Sequence, residues 1–420
     1  MCAARVFTTL RRAEYAELIA LFFIQGAALG MWFVPLTGVL EEHGLASIRP
    51  LAFAAGSVAA FISPLVFGAM ADRHFSPVKV LRALSLATAV SMAAASYAIQ
   101  SGAGAPVVLA LIQLYCLCSS PTWSITSTII FARLEDARKE FGPIRAMATL
   151  GWVTGCLTVS LLGADRSTLS GFGGSLVWLL VVAGTFFLPA LQAPASAENL
   201  TWRERLGLDA LSLLRIRDHR GVYLMTSLFM IPLAGFYPYS PLHLRSLGLE
   251  HASAWMSLGQ ITEIIAMFAL GGLLVRWRLK WIFAAGLTLG VVRFALSALD
   301  TRAGLITGIL LHGASFTLVL ITAQIYVDQR VDPAWRGRAQ ALLSLVNGGF
   351  GNMLGYLGTG GWFTLCTVGG ATRWPAFWGG LSAAMAAVLV FFLLSYRGRS
   401  TGLSPAPAVA RDGGTKGPRD

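Results

Sequence analysis

Long apolar runs separated by short polar turns dominate this chain from end to end. A helix crosses a bilayer with roughly 20 mainly apolar residues, and about twelve runs reach that length. They cover approximately 15–38, 50–71, 78–100, 106–131, 143–163, 174–193, 221–246, 252–275, 281–299, 304–327, 337–360 and 374–396. The longest internal connection spans about 194–220 and divides the runs into six plus six. The pattern therefore predicts an all-α polytopic membrane protein of about 12 transmembrane helices in two six-helix halves. The first bundle is expected over 1–193, a cytoplasmic linker over 194–220 and the second bundle over 221–396. The tail, 397–420, is rich in Gly, Pro and Arg and is expected to be disordered.

Composition agrees. Hydrophobic residues make up 55% of the chain and charged residues 12%, at a mean hydropathy of +0.67. An ordinary soluble domain carries about 25% charged residues. The net charge of +12 resembles a nucleic-acid binder's, but the positions of the basic residues argue against one. Apart from Arg49, Arg166, Arg245, Arg293, Arg302 and Arg373, every Lys and Arg falls on the N-terminal segment, on alternate connections, or on the tail. By the positive-inside rule those segments and both termini are cytoplasmic. The first run follows Arg11 and Arg12 like a signal peptide, yet its length, and the absence of a small-residue cleavage pattern, predict a retained helix. The five cysteines show no CxxC or metal spacing and read as small packing residues.

Against this background the polar residues inside the runs stand out. Glu263 lies mid-way along Ala252–Val275. An ionisable group at the bilayer centre costs at least roughly 2.5–3.5 kcal/mol, so it faces a bundle interior or a wet cavity and marks an ion or solute path. Gln260, three residues earlier, shares its helical face, with Met256 and Met267 extending the stripe. Carboxylates removed from water hold a proton more readily, which suits a coupling role. The alternative is a salt-bridged structural carboxylate, with Arg293 as its partner. In the fifth run Arg145, Thr149 and Trp152 fall at i, i+4 and i+7, one face offering a cation, a hydroxyl and an aromatic plane. A planar polar ligand would be hydrogen-bonded and stacked there. The alternative for Arg145 is a topogenic charge at a helix start. His312 reads first as a packing residue, and Gln25, Trp32, Gln113 and Trp123 as further lining residues.

Between the second and third runs stands Gly68-Ala69-Met70-Ala71-Asp72-Arg73, followed by Lys79 and Arg82. It resembles the loop signature of the major facilitator superfamily, whose two six-helix halves rock about a central site. There Asp72 would accept helix-end amides or pair with an Arg, so Gly68, Asp72 and Arg73 are expected to form an inner gate; the plainer reading is a helix stop. The second half keeps Gly271-Gly272 and Arg276 but has no Asp at the equivalent place.

Five stretches carry a closer resemblance: Gly207-Leu208-Asp209-Ala210, Pro143 through Gly151, Ser257 through Glu263, Arg293-Phe294-Ala295-Leu296, and Gln324 through Asp328 with Ala339-Gln340. On these the chain resembles the nucleoside:proton symporters of the major facilitator superfamily. The resemblance implies that Arg145, Thr149, Gln260 and Glu263 bind nucleoside, with Trp152 completing the fifth-span face. It also exposes two departures. Thr317 stands where the family commonly has an intramembrane Asp, and Gly235 through Ser240 replaces expected amides in the seventh span.

The combined expectation is proton-coupled nucleoside uptake by alternating access across an inner membrane, by a monomer. Glu263 is the coupling carboxylate. Transport of sugars or another small organic solute is the alternative, and a non-transporting receptor a more distant one. No nucleotide-binding loop suggests ATP-driven pumping, no nucleophile and base pair suggests an enzyme, and neither a cofactor nor a metal is expected.

Overall fold

The computed structural model describes residues 15–73, 76–135, 137–188 and 201–398, without the side chains of 64–73, 137–139, Trp202, Arg205 and Ala334. Twelve long helical elements run through these residues, ten of them long and apolar enough to cross a membrane. In the N-terminal half they are α1 (Ala16–Glu42, interrupted at Val34 and Pro35), α2 (Arg49–Arg73), α3 (Pro77–Gln100), α4 (Ala105–Phe131), α5 (Ala137–Leu161) and α6 (Leu169–Gly184). The C-terminal half holds α7 (Arg217–Ser246, interrupted at Ala234 and Gly235), α8 (Ala252–Arg276), α9 (Leu279–Ser297) and α10 (Arg302–Arg330). It closes with α11, built from Arg336–Ser344, Leu345–Gly351 and Asn352–Cys366, and α12 (Trp374–Ser395). One turn each of α10 (Thr317–Ile321) and α11 (Leu345–Gly351) is π-helical.

Packing repeats with an offset of six. In the first half α1 packs on α5 and α6, α2 on α4, and α3 on α4 and α6. The second half repeats this as α7 on α11 and α12, α8 on α10, and α9 on α10 and α12. The halves meet along two seams, α5 with α8 and α2 with α11, which the same offset exchanges. Each half has its own buried core, and a smaller apolar cluster containing Cys156, Phe236, Met256 and Ile309 fills the α5–α8 side. Outward-facing side chains such as Leu161, Phe187, Val275 and Leu394 are mostly exposed and form the belt that faces lipid.

The seat of α5 on α1 is set by small residues. A Cβ at Gly26 or Gly30 would strike the carbonyl oxygens of Ala148 or Trp152, and one at Gly151 or Gly155 those of Phe23 or Ala27. Two reciprocal Gly-xxx-Gly pairs thus let the backbones touch. This contact fixes the rotation of α5, and with it the direction of its Arg145 face.

Several boundaries depart from the sequence reading. α6 covers Leu169–Gly184 rather than 174–193, because the chain turns at Thr185, where Arg82 donates from Nε to Oγ1 (2.9 Å) and from Nη2 to the backbone oxygen (3.0 Å). A cation at a helix C-terminus satisfies orphan carbonyls and the dipole together. α5 begins at Ala137, before Pro143, so Arg145 lies two turns inside the helix rather than at its start. The linker is structured in its described part and α7 begins at Arg217, before the expected end of that linker. Thr201 and Glu204 form a capping box, with Thr201 N–H donating to Glu204 Oε2 (2.8 Å) and Glu204 N–H to Thr201 Oγ1 (3.3 Å). Ala210 and Leu213 bury into the C-terminal core, and Arg338 on α11 pairs with Glu204 at 2.9 Å. Side chains of the expected inner gate, Gly68, Asp72 and Arg73, lie outside the described residues, as do 399–420 of the tail.

At the end of the bundle carrying the α1–α2, α5–α6 and α7–α8 turns, the halves are fastened. Thr37 Oγ1 donates to the Pro238 oxygen at 3.1 Å. The N-terminus of α8 has no cap of its own, since His251 sits in the left-handed region (φ 60°) without a side-chain capping bond. Residues of the other half cap it instead. Ser253 N–H donates to Asp165 Oδ1 (2.6 Å), Ala254 N–H donates to Ser160 Oγ (2.9 Å), and His251 Nδ1 meets the Ser160 oxygen at 3.0 Å. These four hydrogen bonds between the halves lie together at this one end.

Candidate functional site

A cavity of about 480 Å³ opens between the halves. It takes wall from α1, α4 and α5 on one side and from α7, α8, α10 and α11 on the other. All five residues singled out as solute-binding line it: Arg145, Thr149 and Trp152 from α5, and Gln260 and Glu263 from α8. Helical periodicity turns each set inward, and the α5–α8 seam places the two faces against one volume.

Among the described residues lining the cavity, Glu263 is the single carboxylate and Arg145 the single Lys or Arg. They come from opposite halves. Glu263 forms no salt bridge among the described residues, so the alternative pairing with Arg293 is not formed. The reason is geometric. Arg293 projects from α9 onto the rings of Phe236 (4.3 Å) and Phe294 (4.6 Å), and its Nη1 meets His312 Nδ1 at 2.5 Å. Arg145 lies 4.4 Å from the ring of Trp123 and 5.5 Å from that of Phe22. Stacking holds the guanidinium as a plane at the cavity wall while leaving its N–H edge free to donate.

Gln260 Nε2 donates to Tyr237 Oη at 3.0 Å, which orients the amide and leaves its oxygen as an acceptor. Trp152 packs edge-on to Tyr237 (6.0 Å, 65°) and tilted against Phe33 (5.8 Å). α10 comes so close to α8 that a Cβ at Gly313 would strike the backbone of Glu263. Thr262 also donates to the Leu310 oxygen. Thr317, which the resemblance sets at the family's Asp position, is buried and donates from Oγ1 to the backbone oxygen of Glu263 at 3.5 Å. It contributes a neutral tether beside the site rather than a second carboxylate.

Other expectations fare differently. Trp123 lines the cavity, whereas Trp32 is buried against Tyr115, and Gln113 ties α4 to the Ala55 oxygen on α2 at 3.2 Å. Gln25 is fully buried with neither amide atom partnered among the described residues. Met256 packs into the seam cluster rather than the cavity. The sequence reading missed Tyr237, Asn352 and Tyr356 and placed His312 in packing, yet all four line the cavity.

A fold of two six-helix halves about a central cavity narrows the class, and comparison with known proteins decides the family. The sequence model of the family described as "Nucleoside H+ symporter" matches residues 14–401. This chain belongs to that family. It is 33% identical to the putative nucleoside transporter YegT of Escherichia coli (strain K12), over 91% of this chain and 93% of the relative. It is also 26% identical to the nucleoside permease NupG of the same organism, over 86% and 91%. The crystal structure of a NupG mutant superposes with a TM-score of 0.85 at 23% identity, covering 91% of this chain and all of that one. These matches establish a major facilitator transporter fold and a transporter rather than an enzyme.

Proposed function

We propose that this family member carries nucleosides across the inner membrane, driven by protons, as a monomer with both termini in the cytoplasm. One observation carries the reading: among the described residues a single carboxylate and a single guanidinium, from opposite halves, face one cavity lined with aromatic rings. At about 480 Å³ the cavity falls within the roughly 300–1,000 Å³ typical of small-molecule sites. A nucleoside has the complementary chemistry. Its base stacks on Trp152 or Tyr237, its hydroxyls donate to Glu263 and the Gln260 oxygen, and its acceptors take N–H groups from Arg145.

Coupling follows from the isolation of Glu263. With no contacting cation among the described residues, its charge is balanced by a proton, by Arg145 across the cavity, or by solute hydroxyls. Loading of proton and solute together lowers the cost of carrying this group through the occluded state. The halves, 1–193 and 221–396, rock about the site while the Asp165 and Ser160 caps on α8 close the external end, and Gly68, Asp72 and Arg73 gate the cytoplasmic end. Positive-inside placement of the basic connections supports that orientation.

The test is uptake of labelled uridine and adenosine into proteoliposomes under an imposed inward proton gradient. Wild type accumulates both, and Glu263→Gln abolishes gradient-driven accumulation. Correctly inserted wild type that accumulates neither retires nucleosides and moves the search to sugars and other organic solutes. Binding without accumulation indicates a receptor.

A further inference from the structure

His312 and Arg293 are buried beside the cavity, and neither has a part in the reading above. Arg293, on α9, is 1% exposed, and its guanidinium is held against the rings of Phe236 and Phe294. Its Nη1 lies 2.5 Å from Nδ1 of His312. A guanidinium has five N–H donors, no acceptor and a permanent charge. Arg293 therefore donates and His312 Nδ1 accepts. The one ring proton is left on Nε2, and a second on Nδ1 would point at an N–H of a cation.

The ring is also fixed in orientation. It stacks on Phe236 (4.2 Å, 18°) and meets Tyr237 edge-on (5.7 Å, 84°). A Cβ built at Gly259 would lie 3.4 Å from His312 Cδ2, so the ring edge next to Nε2 faces α8 at the position preceding Gln260. His312 forms part of the cavity wall. The α8 face opposite it offers acceptors, the Gln260 oxygen and the Glu263 carboxylate. A solute seated there meets acceptors and a pre-oriented donor side by side.

We infer that His312 is a solute-binding residue whose Nε2–H donates to an acceptor atom of the nucleoside, and that Arg293 is the positioning residue that holds it in this tautomer. The inference rests on the nucleoside reading and adds the group that recognises one acceptor of that solute. Arg293 acts only through His312.

The test is equilibrium binding of uridine, 2′-deoxyuridine, 3′-deoxyuridine and 4-deoxyuridine to purified wild type, His312→Phe, His312→Gln and Arg293→Met. His312→Phe keeps a ring against Phe236 but removes the donor, and uridine affinity falls by about tenfold to a hundredfold. One deoxy analogue, lacking the acceptor that His312 reads, is bound equally by wild type and His312→Phe. His312→Gln, which retains an N–H, recovers most of the loss. Arg293→Met weakens uridine without changing which analogue is insensitive.

Nitrogen-15 spectra of histidine-labelled wild type, assigned with His312→Gln, read the tautomer directly and do not depend on any variant binding solute. The expected state is unprotonated Nδ1 and protonated Nε2. A proton on Nδ1, or full uridine affinity in His312→Phe, overturns the inference while leaving the nucleoside reading in place. Failure of wild type to bind any of the four nucleosides removes that reading and this inference with it.

Discussion

The two seams between the halves occupy equivalent places, yet they are chemically unlike. Along α5 and α8 lie Arg145, Thr149, Trp152, Gln260 and Glu263, together with the caps that fasten α8 to the other half. Along α2 and α11 the contacts are aromatic and aliphatic. Phe53 packs on Tyr356 (5.7 Å), Phe61 on Phe350 (4.9 Å, 84°), and Pro50 fills the space over Gly360. Symmetry of packing has not carried over to chemistry. The polar seam holds the residues proposed to bind solute and ties the halves through directional bonds, whereas the apolar seam offers non-directional contact that survives sliding. A pseudo-symmetric fold thus yields an asymmetric site.

The comparison breaks most severely if α10 is pushed off the polar seam. Gly313→Val places a branched side chain against the Glu263 backbone, where nothing flexible can yield. Overpacking of this kind costs about 1–3 kcal/mol. Uridine binding should vanish and the thermal midpoint should drop. Gly361→Ala on α11 is the control, since a Cβ there meets nothing within 4 Å, and it leaves binding unchanged.

A smaller effect follows from loosening the end caps. Asp165→Ala removes the acceptor for Ser253 N–H, and loss of an N-cap costs about 1 kcal/mol, roughly a fivefold shift in an opening equilibrium. Leu29→Cys in the cavity wall reports it. Its labelling by an impermeant thiol reagent added on the α1–α2 loop side should speed up in the Asp165→Ala background, and an unchanged rate contradicts the assignment of these bonds as a closure.

The smallest effect is expected in the linker, outside the cavity. Glu204 is half-buried, and hydrogen bonds from the Thr201 backbone and hydroxyl hold its carboxyl below the ordinary carboxylate range. Because the folded value is lowered, its contribution is present above the ordinary carboxylate range and is lost as the pH falls through the lowered one. Glu204→Gln should leave uptake at neutral pH unchanged, and a large loss would show that the linker takes part in transport.

Much of this site was legible in the sequence because polar residues in an apolar run betray their helical face. Gln260 with Glu263, and Arg145 with Thr149 and Trp152, each needed only local periodicity. What stayed hidden depends on contacts between helices or on broken periodicity. Tyr237 follows the interruption of α7 at Ala234 and Gly235, and Asn352 follows the π turn of α11, which shifts the phase of everything beyond it. The partner of Arg293 could not be read locally either, since His312 lies on another helix and Phe236 on a third. Element ends were missed where a distant side chain decides them, as Arg82 does for α6.

The most direct test of the central claim is equilibrium binding of labelled uridine to four purified variants, two on each seam. Thr149→Val and Gln260→Leu alter the polar seam, and Phe61→Leu and Phe350→Leu the apolar one. Removing a solute hydrogen bond should cost each of the first pair about tenfold in affinity. The second pair should bind like wild type. Equal losses in both pairs, or losses confined to the phenylalanine variants, would contradict a site built on α5 and α8.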